Sequence, residues 1–167
     1  LLRAGQVDVA LMLRTETDRD LDFAPLFEDD LNYVFSPQHP WSRCEQIRPE
    51  QISTETLILY NKASFTFRLL MDYFRAEGVS PSDYIELGSM EAIKELAKTG
   101  VGVGIIAPWV ARNELEAGSL VCRPLGGRKL KREWGAAYLK GRRLALGEET
   151  FIGLCQEVAL QLKRQAA

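Results

Sequence analysis

The sequence predicts an α/β protein, and three observations carry that expectation. Short apolar runs of strand length alternate with segments whose apolar residues recur every three or four positions. Glycines and prolines punctuate the joins and leave only short connectors. The composition is that of a folded chain: of 167 residues 46% are hydrophobic and 26% charged, with a net charge of -2. A disordered chain would combine low hydrophobicity with high net charge.

Residues 7–13 form an apolar run after Gly5, the pattern of a buried parallel strand. Residues 21–27 and 31–35 read as two strands around the acidic Glu28-Asp29-Asp30. Ser36-Pro37-Gln38-His39-Pro40 breaks the pattern, because two prolines exclude regular pairing. A helical turn at 49–53 leads into a strand at 57–60. Ser64 then N-caps a helix to about Ala76, ended by Gly78 and Pro81.

A strand at 84–87 precedes Ser89, which caps a second helix with Met90, Ile93, Leu96 and Ala97 on one face. Glu91 in its first turn, Lys98 in its last and Gly100 beyond agree with the helix dipole. A glycine-containing strand at 101–106, a short helix after Pro108, strands at 120–124 and 134–139 and a final helix at 148–163 complete the chain. Phe151, Leu154, Cys155, Val158 and Leu162 give that helix a stripe expected to face the core. Strand–helix alternation of this kind predicts mostly parallel sheets.

Charge and composition exclude several functions. A balance near neutrality does not suit a domain that grips DNA by itself. Cys44, Cys122 and Cys155 are odd in number and lack CxxC spacing, so neither a disulfide framework nor a structural zinc site is expected, and a cytoplasmic setting fits. No apolar run reaches about 18 residues, so no membrane span is expected. The opening residues do not show a basic region followed by an apolar one, so no signal peptide is expected from them, and residues 1–5 read as the end of a helix.

Nor is a catalytic constellation visible. His39, the single histidine, lies between prolines in a connector and reads as a loop residue. Gly100-Val101-Gly102-Val103-Gly104 follows a helix and enters a strand, the reverse of a dinucleotide-binding order, so these glycines are read as packing devices. No catalytic residue, metal ligand or cofactor is assigned. The basic run Arg128-Lys129-Leu130-Lys131-Arg132 reads as a solvated hairpin, with an anionic partner as its alternative. Phe65, Phe67, Tyr73 and Phe74 suit either internal packing or a subunit interface.

The helix starts are more informative. Ser64 and Ser89 each follow a strand closely, where unpaired N–H groups favour an anion by roughly 0.3–1 kcal/mol. Either serine alone is adequately explained as a cap. Two such starts make a shared ligand site more credible.

Taken in order, these pieces resemble the effector-binding domain of LysR-type transcription regulators. Gly5-Gln6-Val7-Asp8-Val9-Ala10-Leu11 is similar to the family's strand entry, and Leu26-Phe27-Glu28-Asp29-Asp30-Leu31 with His39-Pro40-Trp41 to its next segment. Ser89-Met90-Glu91-Ala92, followed by Val101-Gly102-Val103-Gly104 and Pro108, matches a third block. No single motif is strong, but the ordered set covers essentially all 167 residues.

The resemblance implies a two-lobed, type II periplasmic-binding-protein-like fold with two crossover strands and a small-molecule site in the cleft. Lobe I would comprise residues 1–37 and 138–167, lobe II residues 38–137, hinged at Ser36, Pro37 and Gln38 and at Ala136, Ala137 and Tyr138. It implies effector contacts at Leu13, Arg14, Thr15, Ser64, Phe65, Thr66, Ser89 and Met90, with Arg14 suited to an acidic effector. The family's helix-turn-helix and the first strand–helix–strand–helix portion of lobe I have no counterpart here, so lobe I is expected to be incomplete. Operator DNA would be bound only through that other domain, by a homodimer or homotetramer. A free-standing solute-binding protein of the same fold is the alternative, and an enzyme on this scaffold a third reading.

Overall fold

The computed structural model describes residues 1–15 and 19–165, with side chains through 161. The chain forms two compact units, one of residues 1–29 and 131–167 and one of residues 30–130. This division falls at Asp29/Asp30 and Leu130/Lys131, eight and seven residues ahead of the expected 37/38 and 137/138.

The central unit is built on a five-stranded sheet. Its strands are β3 (Asn32–Phe35), β4 (Thr56–Tyr60), β5 (Asp83–Leu87), β6 (Val103–Ile106) and β7 (Val121–Pro124), in the order β5-β4-β6-β3-β7. β4 pairs in parallel with β5 and β6, whereas β3 pairs antiparallel with β6 and β7. The sheet is therefore mixed rather than mostly parallel. β3 enters this sheet from a strand of the other sheet, so no strand–helix–strand unit fixes its direction, and it runs antiparallel to both neighbours.

Helices α1 (Pro49–Ile52), α2 (Phe65–Ala76), α3 (Met90–Lys98) and α4 (Arg112–Glu116) complete this unit. The sheet is buried on both faces. Leu57 and Leu59 of β4 join Leu70 and Phe74 of α2 in one cluster. Ile58, which points the other way, joins Ile93 and Ala97 of α3 in a second. Each such side chain, fully removed from water, stabilises the fold by about 1.5–3 kcal/mol. Gly104 permits the approach of α3: a Cβ there would lie 2.9 Å from both Ile93 Cγ2 and Val34 Cγ2. The glycine-rich segment is thus a packing device. Tyr73 and Phe74 are buried, and Phe67 packs on Tyr84 at 5.8 Å, so internal packing accounts for most of α2's aromatics.

The terminal unit has a three-stranded sheet, β1 (Ala10–Leu13), β8 (Lys131–Leu139) and β2 (Leu21–Asp30), with β8 central. β2 continues through the acidic triplet that was expected to end it. Pro25 is tolerated because β2 is an edge strand. The last helix, α5, spans Leu146–Gln165. It buries Ile152 and Ala159, while Phe151, Leu154 and Val158 are 44, 56 and 54% exposed. The expected core stripe is therefore not the buried one. Ile152 and Ala159, two turns apart, share one face of the helix, and that face is the buried one. The Leu162 side chain lies outside the described residues.

Candidate functional site

Each unit carries part of the expected site. In the central unit, Tyr60 of β4 lies in register with Leu87 of β5. Both strands therefore end at the same edge of the sheet, and both lead directly into a capped helix. Ser64 Oγ accepts from the Phe67 amide at 3.1 Å, and Ser89 Oγ from the Ala92 amide at 3.4 Å. A hydroxyl that accepts in this way keeps its own proton to donate.

The connector after β4 is fixed to the neighbouring strand, because the Lys62 amide donates to Glu86 Oε1 at 3.0 Å. Asn61 Oδ1 accepts from the Ala63 amide at 2.7 Å and tightens the same turn. Ser64, Phe65, Thr66 and Met90 are half-buried, and Ser89 is exposed. Five sequence-expected contacts thus stand at one end of two adjacent parallel strands, where open α/β sheets bind ligands.

In the terminal unit a pocket of about 420 Å³ opens beside the end of β1. Arg14, Thr15 and Arg19 form its polar side, and Met12, Leu21, Phe23 and Ala137 its apolar floor. Arg14 Nη1 lies 3.1 Å from Glu133 Oε2, and its guanidinium stands 5.4 Å from the centroid of the Phe23 ring. Gly135 makes room for that ring, since a Cβ there would collide with it and approach the Ala24 carbonyl to 2.6 Å. Leu13 is buried in the strand and does not line the pocket. Arg19 and Phe23 were missed by sequence reasoning. Phe23 shares a strand face with Leu21, which is legible only once the strand's facing is known, and Arg19 lies in the turn before β2, where no local period marks it.

The expected hinge residues lie within the units. Ser36 is buried and donates to Gln38 Oε1, and Pro37 lies between them in the turn after β3. Ala136 and Ala137 are fully buried mid-strand in β8, paired with Leu11 and Ala10, and Tyr138 follows them.

Near the two points in sequence where the chain passes between the units, each unit holds ion pairs that sequence reasoning did not identify. Arg132 Nε and Nη2 donate to the two Asp29 oxygens at 2.8 and 2.6 Å, with each side chain 4% exposed. Trp134 Nε1 donates to the same carboxylate at 3.1 Å. Lys131 meets Glu28 and Lys129 meets Asp30, each at 3.3 Å, while Arg128 pairs with Glu77 at 2.8 Å. The basic run is thus neutralised within the chain, largely by the acidic triplet. That removes the reason to assign it an outside anionic partner.

His39 is structural too. Its Nδ1 accepts from the Trp41 amide at 3.2 Å, and its ring packs against Phe35 and Trp41. The three cysteines are free and half-buried; burial pushes the Cys122 thiol up. Hydrogen bonds from Arg3 hold the Asp20 carboxyl down at about 2. Among the described residues no helix is long and apolar enough to cross a membrane.

Comparison with known proteins gives this geometry a context. The regulator CfxR of Cupriavidus necator, named as an HTH-type transcriptional regulator, is 27% identical over 150 residues, covering 90% of this chain and 47% of CfxR. The chain spans about half the length of the curated relatives it matches. The regulatory domain of Synechocystis CcmR, solved in complex with 2-PG, superposes with a TM-score of 0.83 at 23% identity, over 95% of this chain and 76% of that one. The effector-binding domain of QuiR, solved with shikimate, gives 0.79 at 18% identity, over 96 and 75%. These likenesses show the type II periplasmic-binding-protein-like fold. The LysR substrate binding domain family matches residues 1–160, and the chain belongs to it.

Proposed function

We propose that this chain is the effector-sensing domain of a bacterial transcription regulator and takes a small anionic metabolite. The observation that carries the reading is the pair of serine-capped helix starts at the in-register ends of β4 and β5. They present serine hydroxyls at the positive ends of two helix dipoles, where an oxyanion is favoured. Arg14 and Thr15 are the corresponding candidates in the terminal unit. A neighbour that binds shikimate, a carboxylate, supports the same ligand charge.

The domain binds and does not transform its ligand. Binding one of two conformations more tightly shifts the population of the whole regulator. DNA is held by a separate helix-turn-helix, as in an HTH-type relative of twice the matched length, within a cytoplasmic homodimer or homotetramer.

Isothermal titration of the chain with carboxylates and phosphate esters, shikimate among them, tests the reading. A ligand whose affinity falls about tenfold in Arg14→Ala or Ser89→Ala supports it. Unaltered affinity in both variants removes these residues from the site.

A further inference from the structure

We propose that residues 126–129 are a strap of the central unit, latched by the Tyr73 hydroxyl and able to release while the sheet beneath stays folded. The inference concerns the ligand-free chain, and it stands or falls apart from the effector reading.

The strap lies in the connection between β7 and β8, just before the second point at which the chain passes between the units. Leu125 and Leu130 anchor its ends, 4 and 8% exposed, in the same cluster as Tyr73 and Phe74. The residues between them are exposed. None of their amides donates a hydrogen bond among the described residues, so no ladder fixes this backbone. A segment with few buried contacts and no backbone pairing opens ahead of the core.

What holds it is the last turn of α2. The Tyr73 hydroxyl donates to the Arg128 carbonyl at 2.7 Å. The Arg128 guanidinium stands 4.5 Å from the centroid of the same ring and donates to Glu77 at 2.8 Å. Arg128 is 54% exposed, and an ion pair so open to water adds little. The hydroxyl is the firmer hold. Its ring is already packed in the core, so making the bond orders no further side chain.

Gly126 lets the hydroxyl reach that carbonyl. A Cβ at Gly126 would lie 2.8 Å from Tyr73 Oη but 4.0 Å from Tyr73 Cζ. Alanine would therefore collide with the hydroxyl and merely touch the ring. Hydroxyl, glycine and carbonyl form one device, on the helix that begins at Ser64. A partner that binds either the latched or the released form would bias the equilibrium between them.

Backbone relaxation of the isotopically labelled chain reads the latch. In the wild type the amides of residues 126–129 should be as ordered as strand amides, with order parameters of about 0.85. Tyr73→Phe keeps the ring and should lower them below about 0.6. The Leu31 amide donates to the Leu130 carbonyl at 3.2 Å and reports on the anchor. In Tyr73→Phe it should exchange as slowly, relative to the amides of β4, as it does in the wild type. Gly126→Ala should lower the urea midpoint of the wild type, yet leave that of Tyr73→Phe unchanged or slightly raised.

Order parameters that do not move in Tyr73→Phe would show that the leucine anchors suffice, and would overturn the latch. A strap already flexible in the wild type overturns it as well. Faster exchange at Leu31 than at β4 in Tyr73→Phe would mean that the sheet edge loosens with the strap, against an independent release. A Gly126→Ala cost that is the same with and without the hydroxyl would remove the contact on which the device is built.

Discussion

The Asp29 carboxylate accepts from both Arg132 and Trp134 while almost wholly out of water. Desolvating two charges costs several kcal/mol, and here a bidentate pair and a third donor offset it. The net value of such a pair is small, but the value of its completeness is large. Asp29→Ala leaves the Arg132 charge buried without its carboxylate and takes the acceptor from the indole. Urea unfolding should then show a loss of about 3–5 kcal/mol. Replacing both partners, as Asp29→Leu with Arg132→Met, should recover much of that loss. A single variant that loses less than about 1 kcal/mol would mean that the pair is hydrated in solution.

Among the elements, α2, α3 and their caps were legible from sequence because each rests on local chemistry. Ser64, Ser89 and Gly100 act within one turn of their own positions, and the structure places each at a helix end. β4 was legible because a strand buried on both faces reads as an unbroken apolar run. The acidic and basic runs were each visible, but their pairing spans 103 residues and no local period encodes it. Sheet direction failed for the same reason: β3 runs antiparallel to β6 and β7, partners far along the chain that no local period encodes.

In α5 the stripe expected from the sequence is not the one that holds the buried Ile152 and Ala159, because composition alone cannot rank apolar faces. The structure ranks them, and mutation can check the ranking. Ile152→Ala should cost about 2–5 kcal/mol, at the low end if the helix settles onto the sheet. Leu154→Lys, at a residue 56% exposed, should stay within about 0.5 kcal/mol of the wild type. The opposite ranking in thermal melts would show that the Leu154 stripe is the covered face in solution.

At the scale of the molecule, the two units differ in how much core they own. The central unit buries both faces of its three inner strands, β3, β4 and β6, under two clusters that include Tyr33, Phe35, Trp41 and Phe74. The terminal unit's fully described apolar core is small: Leu2, Leu13, Ala136, Ala137, Ile152 and Ala159. Three of these six are alanines, which contribute little transfer free energy. Local opening free energy follows buried apolar contact, so the two units should not open together. Native-state amide exchange should find the slowest amides in β3, β4 and β6, exchanging only through global unfolding. Those of β1 and α5 should exchange through a cheaper opening, faster by at least an order of magnitude under the same conditions. Uniform protection across both units would contradict this partition, and would require the small core to be reinforced by contacts beyond its own six residues.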